Sequence, residues 1–424
     1  MPTLRSHAPS CCILASLLAL GCEAGDPGVS HEESRRRWRH DSGAGAVDAG
    51  PPPIDAGRDA GIDAGRDAAV TPIDAGIDAG RDAGRDAATT PIDAAIADAA
   101  RDAATDGGGL ACPCARRELG ALPSELAALA WPELPVTTSV IDVSTDAELR
   151  TALDLRSNVT VRVHGAHAGT YTIRGSNVEL RLDPDASIES LLIAWSQRRI
   201  RIVGGTYDTI QIWLPIDFNT SPQVPQEHLM VSDVSIECVT VRSSDTAFFL
   251  HGRRIAILGA DVSAARYSLF TGLIAPLQTE DVIIAHSVLR SAGPEATLRF
   301  HQALRGVVAH TTLTNPGKHN WRVHGVSGRM YLGDSTLVGT GIMLGNEPGD
   351  AIDRAWVVRS TIHYSGINGP IVVSPTTITG LTLTDNVVYT DTPLFLPPPP
   401  SSWVITDNTV LPYEPPPGSV EVCR

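Results

Sequence analysis

A five-residue phrase recurs through the second half of the chain and constrains the fold more than any other feature. Its copies end at Leu289, Leu313, Leu337, Ile362, Val388 and Val410. Their third residues are Ser287, Thr311, Ser335, Ser360, Asn386 and Asn408, at steps of 24, 24, 25, 26 and 22 residues. A period of this length is typical of a repeat architecture in which every copy adds one similar unit.

Each phrase follows a short run of alternating apolar residues, such as Val282–Ile284 or Leu381–Leu383. Alternation with a period of two indicates a strand with one buried face, and the unit contains no helical pattern. Similar units lie upstream at Val178–Leu182, Ile200–Val203, Leu229–Val231 and Ile255–Leu258. We therefore predict an all-β solenoid of about 10–11 coils. The Ser/Thr/Asn column should form a structural hydrogen-bonding ladder at one bend.

The residues before the coils carry a family resemblance. Thr145 and Glu148 have the spacing of a capping box at the start of a helix. The run Asp142–Leu153, followed by a strand and then by Ala168–Tyr171, resembles the N-terminal entry of pectin-lyase-like right-handed parallel β-helices. The resemblance covers about residues 138–413 and implies that the helix caps the first coil. It implies no particular activity, because the paired aspartates of polygalacturonases and the arginine run of pectate lyases are absent.

The first 22 residues have the layout of an export signal, with Arg5 before the short apolar run Ile13–Leu20. The signal ends in Leu-Ala-Leu-Gly-Cys at Cys22, which resembles the lipobox of bacterial lipoproteins. This resemblance implies acylation of Cys22 and an exported protein anchored to a membrane at the cell surface or in the periplasm. The alternative is an ordinary cleaved signal with an incidental cysteine.

Residues 23–111 are predicted to be a disordered tether. Ile54–Pro72, Ile73–Pro91 and Ile92–Asp106 are copies of one block built from Ile-Asp-Ala-Gly and Arg-Asp-Ala-Gly units. So few large apolar side chains among so many charges cannot bury a core. The remaining divisions are a cap region at 112–137 with a short helix at Ser124–Ala130, the β-helix at 138–413 and a tail at 414–424.

Charge and cysteine content limit the partners and the compartment. The chain has 33 basic and 48 acidic side chains and no basic stripe, so nucleic acid is not an expected partner. Four cysteines lie beyond Cys22, and an even number permits disulfides in an oxidising compartment. Their pairing stays open among Cys112, Cys114, Cys238 and Cys423. Cys238 alternates within a predicted strand and is expected to be a buried free thiol.

The second strand of each coil carries the candidate site. Alternation directs Arg299 and His301 outward on one coil, and the next coil repeats the pattern with Arg322 and His324. Rows ~4.8 Å apart would form a two-by-two basic patch. His251 falls in the same column two coils earlier. Lys318 and His319 lie in the bend before Arg322, and Glu295 lies before Arg299.

The patch suggests recognition of an acidic polysaccharide, because arginines can grip carboxylates with paired hydrogen bonds. A base beside a uronate carboxylate could also start a β-elimination. The candidate catalytic residues are Lys318, Arg322 and His324. The candidate ligand-binding residues are Arg299, His301, His319 and His251. The alternative is a non-catalytic structural or adhesive surface protein in which this face is ordinary surface.

A second column, one residue before the ladder, contains His286, His310 and Asp334. Stacking at ~4.8 Å per coil would leave its outer members ~9.6 Å apart, which is poor for one metal ion. We therefore predict no metal site and no cofactor; calcium stays open, without a clear site. The expected partners are an acidic polysaccharide and, through the lipid anchor, a membrane, and the protein is expected to be a monomer.

The lipobox-like run generates the first testable prediction. The wild type should enter the detergent phase of a two-phase detergent extraction, and Cys22→Ser should remain in the aqueous phase, because buried acyl chains supply the membrane affinity. Cys12→Ser, within the same signal, serves as the control and should behave as the wild type does. Complete partitioning of the wild type into the aqueous phase would contradict the anchor.

Overall fold

The computed structural model describes residues 117–215, 226–272, 277–345, 347–366, 369–373, 377–396 and 398–417. The expectations for the signal peptide, Cys22, the tether and three of the cysteines (Cys112, Cys114 and Cys423) fall outside these residues. Within the described ranges, no helix is long and apolar enough to cross a membrane.

The described secondary structure is almost entirely strand. One α-helix, α1, spans Asp146–Leu155, and short 3-10 turns occupy Ser124–Leu126 and Glu227–Leu229. The strands in chain order are β1 Ser139–Val143, β2 Val159–Val163, β3 Ala166–Ile173, β4 Val178–Leu182, β5 Ser187–Ile193, β6 Arg198–Val203, β7 Thr206–Ile212, β8 Val231–Glu237, β9 Thr240–Ser243, β10 Thr246–Leu250, β11 Gly252–Leu258, β12 Asp261–Ala264, β13 Tyr267–Gly272, β14 Glu280–Ala285, β15 Val288–Ser291, β16 Ala296–His301, β17 Arg305–Ala309, β18 Thr312–His324, β19 Val326–Gly333, β20 Thr336–Leu344, β21 Ala351–Val358, β22 Thr361–Tyr364, β23 Ile371–Val373, β24 Ile378–Thr384, β25 Val387–Tyr389, β26 Phe395–Leu396, β27 Val404–Thr406 and β28 Thr409–Leu411.

These strands pair in parallel in two sheets. The first sheet has twelve strands in the order β1-β2-β4-β6-β8-β11-β14-β17-β19-β21-β24-β27. The second sheet has 16 strands in two rows, which merge because β7, β18 and β20 each pair with strands of both rows. Eleven strands of the first sheet follow α1, one for each coil. The predicted parallel β-solenoid of 10–11 coils is confirmed.

The core is a column of apolar side chains along the solenoid. Ile255 and Ile257 of β11 pair with Val282 and Ile284 of β14, and all four are fully buried. Neighbouring coils are separated by the usual inter-strand spacing of about 4.8 Å, so each coil packs only on the coils beside it. The interior side chains of every coil therefore depend on the register of the next.

Helix α1 begins at the predicted capping box and covers the first coil, as the family resemblance implies. The Thr145 side chain accepts a hydrogen bond from the Glu148 backbone N–H, and the Glu148 carboxylate accepts one from the Thr145 N–H at 3.0 Å. Leu149 and Leu153, one turn apart, are completely buried in the main core. Helix α1 connects β1 and β2, the two strands at the end of the first sheet. Its buried leucines therefore shield apolar residues that have no further coil to cover them.

The predicted ladder is present at the bend after the first-sheet strands. The Thr311 N–H donates to Ser335 Oγ at 3.1 Å, and the Ser335 N–H donates to Ser360 Oγ at 3.3 Å. The Ser335 hydroxyl in turn donates to the Gly333 carbonyl at 2.7 Å. Each ladder side chain therefore satisfies buried backbone groups where the chain leaves the sheet, which is the structural role expected of it.

The column one residue before the ladder is explained by backbone conformation. Its members have φ between 47° and 61°, in the left-handed region: Cys238, Gly259, His286, His310, Asp334, Arg359, Asp385 and Asp407. Glycine, aspartate and histidine are favoured there over β-branched residues. The His286 and His310 rings stack at 4.9 Å, and Asp334 forms an ion pair with Arg359 at 2.7 Å. The repeated polar residues thus follow from the bend.

The structure corrects the prediction made for Cys238. This cysteine lies in this bend column with φ of 54°, just after β8 ends at Glu237, and it is disulfide-bonded. The prediction of a buried free thiol within a strand is therefore wrong. The apolar alternation before Cys238 gives no sign of where the strand ends.

Residues 117–137 cross the outer face of the first sheet. Leu119 and Leu126 are buried against apolar side chains that point out of that sheet, namely Ala256, Leu258, Ile283, Ala285, Val307, Ala309, Tyr331, Trp356 and Val358. The predicted helix at Ser124–Ala130 is wrong, because only Ser124–Leu126 form a single 3-10 turn. Glu133 fixes the segment farther along through an ion pair with Arg199 at 2.6 Å.

The ladder geometry generates the second prediction. Ser335→Ala removes the acceptor of the buried Thr311 N–H, and an unsatisfied buried donor costs about 1–3 kcal/mol. We expect a lower urea midpoint of unfolding. The neighbouring Thr336→Ala is the control, because the Thr336 side chain is only half-buried and lies outside the ladder. Equal midpoints for the two variants would contradict a stabilising ladder.

Candidate functional site

The predicted basic columns do form on the second sheet. Arg299 pairs with Arg322, and His301 pairs with His324, in the parallel register of β16 and β18. The Leu298, Phe300, Trp321 and Val323 side chains between them are fully buried in the core. Both the register and the direction of the four polar side chains agree with the sequence prediction.

His251 also lies in this column, with Gly272 between it and His301. The Gly272 N–H lies 3.4 Å from His251 Nδ1, and Gly272 pairs with His301. On the intervening strand, Leu269 pairs with Phe248 on one side and with Leu298 on the other, which brings Gly272 into the column. A side chain in place of Gly272 would meet the His301 Cβ at 2.9 Å, so the glycine makes room for this imidazole.

The arginines and His324 are not solvent-exposed. Arg299 retains 5%, Arg322 6% and His324 2% of its accessible surface, although all three point away from the core. The expectation of an open basic patch is therefore wrong. Alternation along a strand fixes which way a side chain points, but it does not determine whether that side chain is exposed to solvent.

Carboxylates compensate the buried positive charges. Glu347 contacts Arg322, and its other oxygen lies 3.4 Å from His324 Nδ1. Glu295 lies 3.7 Å from Arg322 on the other side. The hydrogen bond from His324, together with the nearby arginines, lowers the pKa of Glu347 to about 2. The cluster is thus an internal ion network.

Glu347 comes from a turn that sequence reasoning missed. The Asp350 carboxylate accepts the Gly325 N–H at 2.6 Å and the Glu347 N–H at 2.8 Å, which ties the turn after β20 to the end of β18. The turn lies outside the strand periodicity, so column alignment does not find it. Its Glu-Pro-Gly-Asp composition, at the end of a strand next to the basic column, is the available signal.

Arg299 joins a stack of planar groups. Its guanidinium lies 5.1 Å from the Phe270 ring centre, and Phe270 stacks on Phe249 at 5.1 Å and 19°. The guanidinium donates from Nη1 to the Tyr267 hydroxyl at 2.8 Å and from Nε to His324 Nε2 at 2.6 Å. His324 Nε2 therefore acts as an acceptor, which assigns the imidazole proton to Nδ1, facing Glu347.

Burial keeps the histidines in and near the group of Arg299, His301, Arg322 and His324 neutral. Desolvation lowers the pKa of His251 and of His319 to about 3 and the pKa of His301 to about 4. The half-buried His301 ring stacks on His324 at 4.4 Å. A neutral imidazole can accept a hydrogen bond or a proton, but a pKa near 4 makes it a weak base at neutral pH.

Lys318 and His319 lie within β18, where its register with β20 shifts. The Lys318 N–H donates to Asn315 Oδ1 at 3.2 Å, and His319 is buried and pairs with Ala296. Lys318 is half-buried. The fold thus gathers Arg299, His301, Arg322 and His324 in one cluster, and Lys318 and His319 flank it at the corner of the sheet.

One group of side chains has metal-ligand spacing. Atoms of His324, Glu347 and Asp350 lie within 4.8 Å of one another. However, Arg322 contacts Glu347, and the Asp350 oxygens accept backbone N–H groups. A divalent cation there would have to displace these donors beside two guanidinium groups, so the donor set fits an ion network better than a metal centre.

Comparisons with protein-family models, with curated proteins and with solved structures return no match for this chain. The resemblance to pectin-lyase-like proteins therefore rests on the entry residues quoted above, and the structure supports it at the level of a parallel β-solenoid.

The shifted pKa values generate the third prediction. Unfolded histidines bind protons below about pH 6.5, whereas buried ones do so only near pH 3 to 4. The free energy of unfolding should therefore fall as the pH is lowered from 6.5 to 4, by about 1.4 kcal/mol per pH unit for each such histidine. Urea unfolding of His301→Gln should show a weaker fall than the wild type.

His164 provides the control for this measurement. Hydrogen bonds to Asp183 and Asp142 raise the pKa of His164. Its contribution is therefore complete below the unfolded pKa and is lost as the pH rises through the folded pKa. The free energy of unfolding of His164→Gln should therefore fall more steeply towards low pH than that of the wild type. Parallel pH profiles for His301→Gln and the wild type would contradict burial of a neutral His301.

Proposed function

We propose that this protein is an exported lipoprotein whose β-solenoid binds an acidic polysaccharide at the cluster of Arg299, His301, Arg322 and His324. The supporting observation is the concentration of ionisable groups with shifted pKa values on one sheet face. Burying arginines and imidazoles together is costly, and such clusters occur preferentially at functional sites. Export and anchoring through Cys22 remain expectations from the sequence.

The ion network indicates how a uronate would bind. Glu347 already presents a carboxylate to Arg322, and a ligand carboxylate of the same shape could take its place with paired hydrogen bonds. The turn carrying Glu347 would then have to yield. Because equivalent positions recur about every 4.8 Å along the coils, a polymer with regularly spaced carboxylates suits this face better than a single small anion.

The chemistry favours binding over cleavage. β-Elimination needs a base of suitable strength beside the uronate, yet the pKa of His301 is near 4 and Arg299 occupies the acceptor nitrogen of His324. Lyase activity therefore ranks below recognition. A purely structural or adhesive role is the second candidate, and it is favoured by the internal compensation of the charges by Glu295 and Glu347.

The fourth prediction tests recognition with variants that preserve the fold. His301→Gln and Arg322→Lys should each weaken retardation of the protein in gels containing polygalacturonate by about tenfold, because a charge-assisted hydrogen bond contributes about 1.5–3 kcal/mol. His310→Gln, an exposed histidine on the bend column, is the matched control. The wild-type affinity should also fall with added salt.

The outcomes separate the two candidates. Unchanged retardation of both site variants across a panel of acidic glycans would contradict recognition and favour the structural role. Absorbance from unsaturated products, present for the wild type and lost in His301→Gln, would instead establish elimination at the same cluster.

A further inference from the structure

Three arginines lie on or next to the short strands that follow the ladder, outside the cluster described above. Ser263 of β12 pairs with Arg242 of β9 on one side and with Arg290 of β15 on the other. Arg266 follows in the turn between β12 and β13. Its carbonyl accepts the Ser291 hydroxyl at 2.5 Å, which joins this turn to the end of β15.

A single carboxylate holds two of these arginines in place. Asp261 accepts from Arg242 Nη2 and from Arg290 Nη1, both at 2.6 Å. Although burial opposes ionisation, these hydrogen bonds keep the pKa of Asp261 below its usual value. The Asp261 side chain is only 9% exposed, whereas those of Arg242 and Arg290 are 43% and 38% exposed. Both guanidinium groups are therefore held by a buried carboxylate and face solvent.

Arg266 adds a third positive charge beside these strands. Its guanidinium lies over the Tyr267 ring at 5.2 Å, and its side chain forms no ion pair or hydrogen bond with any residue in the described part of the chain. Tyr267 also accepts the hydrogen bond from Arg299. The Tyr267 ring thus contacts both Arg266 and Arg299 of the buried cluster.

We infer that Arg242, Arg266 and Arg290 form an oxyanion-binding site for carboxylate or sulfate groups of an acidic glycan. Each guanidinium has five N–H donors, and Arg290 directs only one of its donors to Asp261. Among the described residues, Asp261 and Asp245 are the carboxylates beside these three arginines, and Glu295, near Tyr267, lies 3.7 Å from Arg322. The inference rests on the proposed function for the nature of the polymer, and it adds a solvent-facing contact for it.

The fifth prediction concerns Arg266→Gln combined with Arg290→Gln. This variant should lose about tenfold in affinity for the polyanion while remaining folded, since both side chains are partly exposed and Arg242 still donates to the buried Asp261. The probes are polygalacturonate, which offers carboxylates, and dextran sulfate, measured by retardation in gels. The control, Arg162→Gln with Arg329→Gln, removes the same charge from exposed positions on the first sheet.

Loss with polygalacturonate only would assign carboxylate, and loss with dextran sulfate only would assign sulfate; either result supports the site. An equal loss in the control variant would show attraction by net charge alone and would overturn it. So would equally tight, equally arginine-dependent binding of single-stranded DNA. If the double arginine variant retains its affinity while His301→Gln loses it, this inference is overturned and the proposed function stands. If the double arginine variant loses affinity while His301→Gln retains it, the proposed function at the His301 cluster is overturned and this site stands.

Discussion

In-register stacking of parallel strands is the constraint on which the rest of this structure depends. Backbone hydrogen bonds between coils hold equivalent residues about 4.8 Å apart, so any side chain repeated at one position becomes a column. Ile257 over Ile284 forms core in this way, and Ser335 over Ser360 forms the ladder. The same rule places Arg322 on Arg299, which is unfavourable unless opposite charge is supplied.

That electrostatic cost is met in different ways on the two rows of the second sheet. At Arg322, a turn from the next coil brings Glu347 over the column, and Arg299, Arg322 and His324 are buried. At Arg242 and Arg290, the buried Asp261 lies beneath the arginines and leaves them accessible. A covered, compensated network stabilises only if its geometry is good. A network that is held by a buried carboxylate but remains open to solvent is suited to binding an external anion.

The sequence predicted the structural features that depend on its periodicity. The coil number, the capping box of α1, the ladder and the pairing of His301 with His324 all follow from spacing alone. It could not predict contacts between segments that lack a period. The burial of Arg299, the turn carrying Glu347 and the extended path of residues 117–137 over the first sheet depend on tertiary packing, which overrides local preference at Ser124–Ala130.

Cys238 and His310 show why the bend column misleads a reader of the sequence. Histidine, aspartate and cysteine at equivalent positions suggest metal ligands or thiol chemistry, yet all share a left-handed backbone that a bend requires. Selection for conformation and selection for chemistry enrich the same residue types there. On the strands no such conformational demand exists, so a repeated arginine or histidine on the outward face needs another reason. The argument for function is therefore stronger at Arg299, His301 and Arg290 than at the bends, even though the bends hold the more conspicuous motif.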